Sequence, residues 1–164
     1  MTGHAQIAVL FVCLGNICRS PSAHGVFREA VARAGWADRV HIESAGTGDW
    51  HIGKPPDRRA TAAAAARGID LSDLRARQVQ ATDFERFDYV LAMDADNLAD
   101  LEQMANIRGK VRARIALFST FSARYRGEAV PDPYFGGEQG FERVLDMIED
   151  ASAGLLEEIR TRLD

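Results

Sequence analysis

The chain has 164 residues, 46% of them hydrophobic and 27% charged, with a formal net charge of −4. That is about one globular domain, long enough to bury a core without disulfides or metal, and it excludes disorder and collagen-like repeats. The acidic balance argues against nonspecific nucleic-acid binding, and the two cysteines, Cys13 and Cys18, lie too close together to form the disulfide framework of a small secreted domain.

The N-terminus, Met-Thr-Gly-His-Ala-Gln, lacks the basic start and long apolar stretch of a signal peptide. No apolar run approaches the roughly 18 residues that span a bilayer. The expected location is therefore cytoplasmic, with neither membrane nor nucleic acid as partner. Residues 7–12, Ile-Ala-Val-Leu-Phe-Val, suit a central parallel strand buried on both faces. A glycine-containing loop follows, and Ser20 before Pro21 signals a helix start. The pattern predicts a helix over 21–34, stopped by Gly35, with Ala23, Phe27, Ala30 and Val31 facing inward.

Residues 40–45 alternate like a strand and end at Gly46; the alanine-rich stretch 57–67 predicts a helix ending at Gly68. Residues 89–93 read as a third buried strand, 94–103 as a helix and 114–118 as a fourth strand. Over 141–163, Phe141, Leu145, Ile148, Ala151, Leu155, Ile159 and Leu163 form one helical stripe. No linker or repeat appears, so a single domain over 1–164 is expected. The alternation implies a three-layer α/β fold: a central four-stranded parallel sheet with helices on both faces. Ligands in such sheets bind at the carboxyl ends of strands, where the loop after the first strand lies.

That loop reads Cys13-Leu14-Gly15-Asn16-Ile17-Cys18-Arg19-Ser20-Pro21. A thiol between a strand end and a helix N-terminus meets outward-pointing N–H groups and the positive end of the helix dipole. Those donors favour an anion, either a Cys13 thiolate or a phosphate above it. Arg19 adds a planar guanidinium able to grip two phosphoryl oxygens. Gly15 and Asn16 are residue types that tolerate left-handed backbone, which lets amides curl into an anion nest. Ser20 brings a hydroxyl toward Cys13. The bland alternative is a cysteine acting as a small buried hydrophobe.

Residues 12–21, Val-Cys-Leu-Gly-Asn-Ile-Cys-Arg-Ser-Pro, closely resemble the signature of the low-molecular-weight protein tyrosine phosphatases. Ser44-Ala45-Gly46-Thr47, Trp50, the helix start at Pro56-Asp57-Arg58 and the late Asp132-Pro133-Tyr134 extend the resemblance along nearly the whole chain. The resemblance implies a hydrolase acting on phosphotyrosine-containing proteins without cofactor or metal. In that reading Cys13 is the nucleophile that forms a phosphocysteine, and Arg19 with the loop amides binds the phosphate. Asp132 is the general acid and then the base. Asn16 holds the loop's shape and Ser20 supports Cys13. Trp50 and Tyr134 wall the substrate cleft, with Leu14 and Ile17 on its apolar rim. Cys18 would trap an oxidised Cys13 as a reversible disulfide.

Two departures stand out. Leu74 occupies a place where relatives often carry a histidine that supports the loop serine, which puts the fine tuning around Cys13 in question. Phe135 follows Tyr134 where some members have a second tyrosine, so a phosphorylation switch at that position is absent. His4, His24, His41 and His51 lack metal-ligand spacing and read as surface or packing residues. Three rival readings accompany the first. A thioredoxin-coupled arsenate reductase would need further cysteines downstream, and none follows Cys18. A protein-arginine phosphatase would tend to carry threonine where Ile17 stands. A non-catalytic phosphate-binding protein would be expected to lose Cys13, Arg19 or Asp132.

Overall fold

The apolar run that opens the chain becomes β1 (Ile7–Cys13), and every other strand is laid beside it. In the computed structural model, which describes residues 6–134 and 138–163, β2 (Val40–Gly46) pairs with one edge of β1. β3 (Tyr89–Ala92) pairs with the other, and β4 (Arg114–Leu117) pairs with β3. All pairs are parallel, and the order is β2-β1-β3-β4. The architecture is the expected three-layer α/β fold.

Strand periodicity divides the core in two. Ile7, Val9, Phe11 and Cys13 face one layer; Leu10 and Val12 face the other. The first layer is covered by α1 (Arg19–Arg33) and α5 (Glu138–Arg160), with Ala64 of α2 (Arg58–Ala65) joining it. Phe11 sits at its centre, edge-on to Phe27 at 5.7 Å and Phe118 at 4.8 Å between ring centroids. The second layer is covered by a single-turn helix, α3 (Asp83–Arg86), and by α4 (Ala95–Arg108). The α5 stripe is buried from Phe141 to Ile159, each large apolar side chain contributing about 1.5–3 kcal/mol. No described helix is long and apolar enough to cross a membrane.

Several boundaries differ from the sequence reading for local reasons. α1 begins at Arg19, ahead of Pro21, because proline needs no N–H anywhere in a first turn. Asp57 is the N-cap of α2, its carboxylate accepting from Arg59 and Ala60. α4 runs on past Gln103 to Arg108, where Gly109 at φ 80° supplies the left-handed stop. α3 and the 3₁₀ turn Phe118–Phe121 were not anticipated, being too short to show a period. Ala30 is only partly buried, and α5 ends at Arg160 with Leu163 still packed on the core.

Where α5 crosses the 3₁₀ turn, contact is made by absence. A Cβ added at Gly154 would lie 1.7 Å from the Phe121 carbonyl oxygen. Gly154→Ala is therefore expected to cost about 1–3 kcal/mol or more. Urea unfolding checks this as a lowered midpoint with unchanged slope.

Candidate active site

α1 has Cys18 as its N-cap and no side-chain cap, so its first amides lack an intrahelical acceptor. One of them, the Ser20 N–H, donates to the Cys13 sulfur at 3.4 Å, and the Asn16 N–H donates to it at 3.3 Å. The Ser20 hydroxyl lies 3.0 Å from the same sulfur. Asn16 Nδ2 donates to that hydroxyl oxygen at 2.8 Å, which leaves the hydroxyl proton to point at Sγ or at the Ala45 carbonyl 3.3 Å away. A thiolate has no proton to give, so with Cys13 ionised the hydroxyl is the donor. Three donors thus converge where negative charge on sulfur would sit.

The loop's shape rests on Asn16, at φ 57° the one non-glycine residue with positive φ among the described residues. Its side chain donates to Ser20 and accepts from the Arg77 N–H at 2.9 Å. Gly15, expected to share the left-handed backbone, does not; a Cβ there would come within 3.0 Å of the His51 ring. The end of β2 and the turn after it brace the loop from beneath. Thr47 and Gly48 donate to the Cys13 and Leu14 carbonyls, each at 2.9 Å, and a Cβ at Gly46 would lie 2.7 Å from the Leu14 oxygen. Leu74, in place of a histidine, is buried in the apolar core. Asn16 and Ser20 find their partners without it.

Arg19 is 3% exposed. Its Nη1 donates to Asp94 at 2.6 Å and to the Val130 carbonyl at 3.0 Å. Nη2 lies 3.8 Å from Asp132, an ionic contact too long for a hydrogen bond. Nε and Nη2 are thereby left as a pair of parallel donors for a ligand. Asp132 is 41% exposed and accepts from the Tyr134 N–H at 3.0 Å. Val130, two residues upstream, anchors this turn by donating to the Met93 carbonyl at the end of β3.

These groups open onto one cleft of about 170 Å³. Cys13, Leu14, Gly15, Ile17, Cys18 and Arg19 line its floor and side, and Trp50, His51, Asp132 and Tyr134 line its mouth. Trp50 is 66% exposed and lies against Gly48, where a Cβ would collide with the indole. Asn16 and Ser20 stand behind the loop rather than on the cleft surface. Cys18 is buried with Ala60 and Phe141, and burial together with the Asp57 carboxylate pushes its thiol up to about 12. Among the described residues, no group of three or more His, Cys, Asp or Glu side chains is placed to hold a metal. Phe135 and His4 lie outside the described residues.

Three residues of the site were not picked out from sequence. Asp94 read only as a helix start, yet it caps α4 through Asn97 N–H and fixes Arg19. An acid directly after a strand, at the same sheet end as Cys13, was the available signal. Arg77, clamped between Glu43 and Asp83, holds Asn16 through its own backbone. His51 read as surface or packing, but it lines the cleft, 6.5 Å from the Tyr134 ring.

Comparison with known proteins places this geometry in company. Residues 8–163 match the family model for the low molecular weight phosphotyrosine protein phosphatases. A low molecular weight protein-tyrosine-phosphatase of Streptomyces coelicolor is 44% identical over 158 residues, covering 95% of each chain. Among solved structures, YfkJ of Bacillus subtilis superposes with a TM-score of 0.88 at 37% identity, covering 99% of each chain. A Drosophila arginine phosphatase superposes at 0.86 with 33% identity, covering 92% of this chain and 96% of its own.

One histidine of α1 carries a pH consequence. His24 Nδ1 lies 3.3 Å from the Ser44 hydroxyl, and burial, reinforced by the charge of Arg28, lowers the imidazole from 6.5 to about 4. His41 acts in the same sense, while Asp73 and Glu43 oppose it. Between those values the unfolded chain binds a proton that the folded chain refuses, so His24's contribution is complete above about 6.5 and is lost as pH falls toward 4. The loss is expected to be roughly 3 kcal/mol. Urea unfolding from pH 7 to pH 4 should show a shallower decline in His24→Gln than in the unaltered chain.

Proposed function

The chain belongs to the low molecular weight phosphotyrosine protein phosphatase family, and from that membership we propose that it hydrolyses phosphotyrosine in protein substrates through a phosphocysteine formed on Cys13. It is a protein-tyrosine phosphatase, a hydrolase of phosphoric monoesters. The observation that carries the assignment of roles is the convergence of three donors on the Cys13 sulfur, in a cleft that Arg19 and Asp132 share.

In the first step the Cys13 thiolate attacks phosphorus as the bond to the tyrosyl oxygen breaks. Asp132, as the carboxylic acid, gives its proton to that oxygen. Arg19 takes two equatorial oxygens with Nε and Nη2, and the loop amides take the rest. In the second step Asp132, now a carboxylate, removes a proton from water. The water oxygen bonds to phosphorus, and the P–S bond breaks to return the thiolate. Ser20 donates its hydroxyl to the sulfur at both moments when sulfur carries charge. Trp50 and Tyr134 flank the ring of the substrate, while Leu14 and Ile17 present apolar surface to it.

A second reading, protein-arginine phosphatase, is favoured by the likeness to the Drosophila arginine phosphatase. Ile17 weighs against it, since an apolar side chain suits a phenyl ring better than a guanidinium leaving group. Turnover of phosphotyrosine peptides is expected to exceed that of phosphoarginine peptides, and the reverse order would assign the second reading. Cys13→Ser is expected to abolish turnover while still binding phosphate. Asp132→Ala should lower kcat/KM for poor leaving groups by about 10²–10⁴-fold and barely affect activated aryl phosphates.

Cys18 fits the role of redox guard in a specific sequence of events. Peroxide converts Cys13 to a sulfenic acid, and the Cys18 thiol then displaces water to form the disulfide. After peroxide treatment, thiol should restore activity in the unaltered chain and fail to do so in Cys18→Ser.

A further inference from the structure

Asp132 is the most exposed of the three proposed catalytic side chains, and its nearest cation stands beyond hydrogen-bond distance at 3.8 Å. General acid catalysis needs it within reach of one oxygen, so something must set its position. A chain of contacts runs outward from its carboxylate. Asp132 accepts from the Tyr134 N–H at 3.0 Å. The Tyr134 carbonyl accepts from Arg59 Nη2 at 2.7 Å, and the guanidinium carbon sits 5.5 Å from the Tyr134 ring and 5.0 Å from that of Phe141. Arg59 is gripped in turn by Asp57, with Nε 3.2 Å from Oδ1 and Nη2 3.1 Å from Oδ2. Asp57 closes the path on the nucleophile's own loop: its N–H donates to the Ile17 carbonyl at 2.8 Å.

We propose that Arg59 is a positioning residue for the reaction, a strut through which the Cys13 loop and the turn carrying Asp132 are held in register. The inference rests on the reading of Asp132 as the general acid. The two segments lie far apart in sequence, and the path Ile17, Asp57, Arg59, Tyr134, Asp132 joins them through backbone and side-chain hydrogen bonds in which Arg59 is the bridging side chain. Arginine suits the place because its planar head satisfies a carboxylate and a carbonyl while lying over two rings. Arg59 is 44% exposed, and its partner Asp57 lies only two residues away at the same helix start, so the pair's worth to global stability is modest. Its effect is on geometry, and that separates it from a merely structural contact.

The test uses the full chain and two substrates, phenyl phosphate and nitrophenyl phosphate, compared by kcat/KM, which reports the step that expels the leaving group. Arg59→Met keeps the stem and removes the strut. It is expected to lower kcat/KM by about ten- to a hundredfold on phenyl phosphate and by less than about threefold on nitrophenyl phosphate. In an Asp132→Ala background it should cost nothing further, because no acid remains to be positioned. Arg59→Lys should recover part of the loss, and the urea midpoint should stay where it is. Equal losses on both substrates, or a full additional loss in the Asp132→Ala background, would overturn the proposal. If Asp132→Ala depends on the leaving group and Arg59→Met does not, positioning alone is wrong. If Asp132→Ala shows no such dependence, the acid assignment falls and the strut with it. Should Arg59→Met fold poorly, Asp57→Asn keeps a capping side chain but frees the guanidinium. It is expected to give the same leaving-group pattern, and a flat pattern there counts against the proposal.

Discussion

A helix that starts without a side-chain cap must find an acceptor for its first amides. In α1 that acceptor is sulfur: the Ser20 N–H reaches Cys13 Sγ, joined by Asn16 from the loop. Everything at this end of the sheet follows from that arrangement. β1 must end at Cys13 to deliver the sulfur, and the loop must curl through a left-handed Asn16 to aim its amides inward. β2 must lie close enough, with glycine at 46, to support the loop's carbonyls. Positive electrostatic potential is thus built from oriented dipoles and one guanidinium, in a chain whose net charge is −4.

Arg19 shows how a buried cation is kept useful. Left alone, a charge this deep would be costly, and Asp94 at 2.6 Å offsets that cost while occupying only Nη1. Asp132 approaches the other side at a longer distance and remains accessible to the cleft. The two carboxylates divide the work. One orients the guanidinium, and the other stays accessible for the proton exchange proposed for it. A tighter contact between Arg19 and Asp132 would occupy the Nη2 donor that the present 3.8 Å separation leaves to the cleft.

The sequence made legible what depends on local pattern. The run at 7–12, the α5 stripe and the residue types of the Cys13 loop each follow from spacing along the chain, and the family resemblance supplied the partnership with Asp132. Asp94, Arg77 and His51 stayed hidden because their roles arise across strands and loops. Asp94 meets Arg19 only because β3 lies beside β1, and Arg77 meets Asn16 only because the chain after α2 returns past the loop. Gly15 has no positive φ, and its tight neighbour is a ring brought in by a distant turn. The α4 end was set too early because helical propensity does not mark a stop, whereas Gly109 does.

β1 is hydrogen-bonded to a neighbour on each side and is buried along nearly its whole length. Strands so placed open only when the whole domain unfolds, while exposed turns open locally at small cost. The molecule therefore carries a gradient of rigidity across a single cleft. Its floor, where phosphorus would be handled, shares the lifetime of the fold. Its mouth is uneven: Trp50 stands 66% exposed on its turn, while Tyr134 is tied back to Arg59. Change on the Trp50 side can alter what the cleft admits while the anion-binding floor beneath keeps the same dimensions.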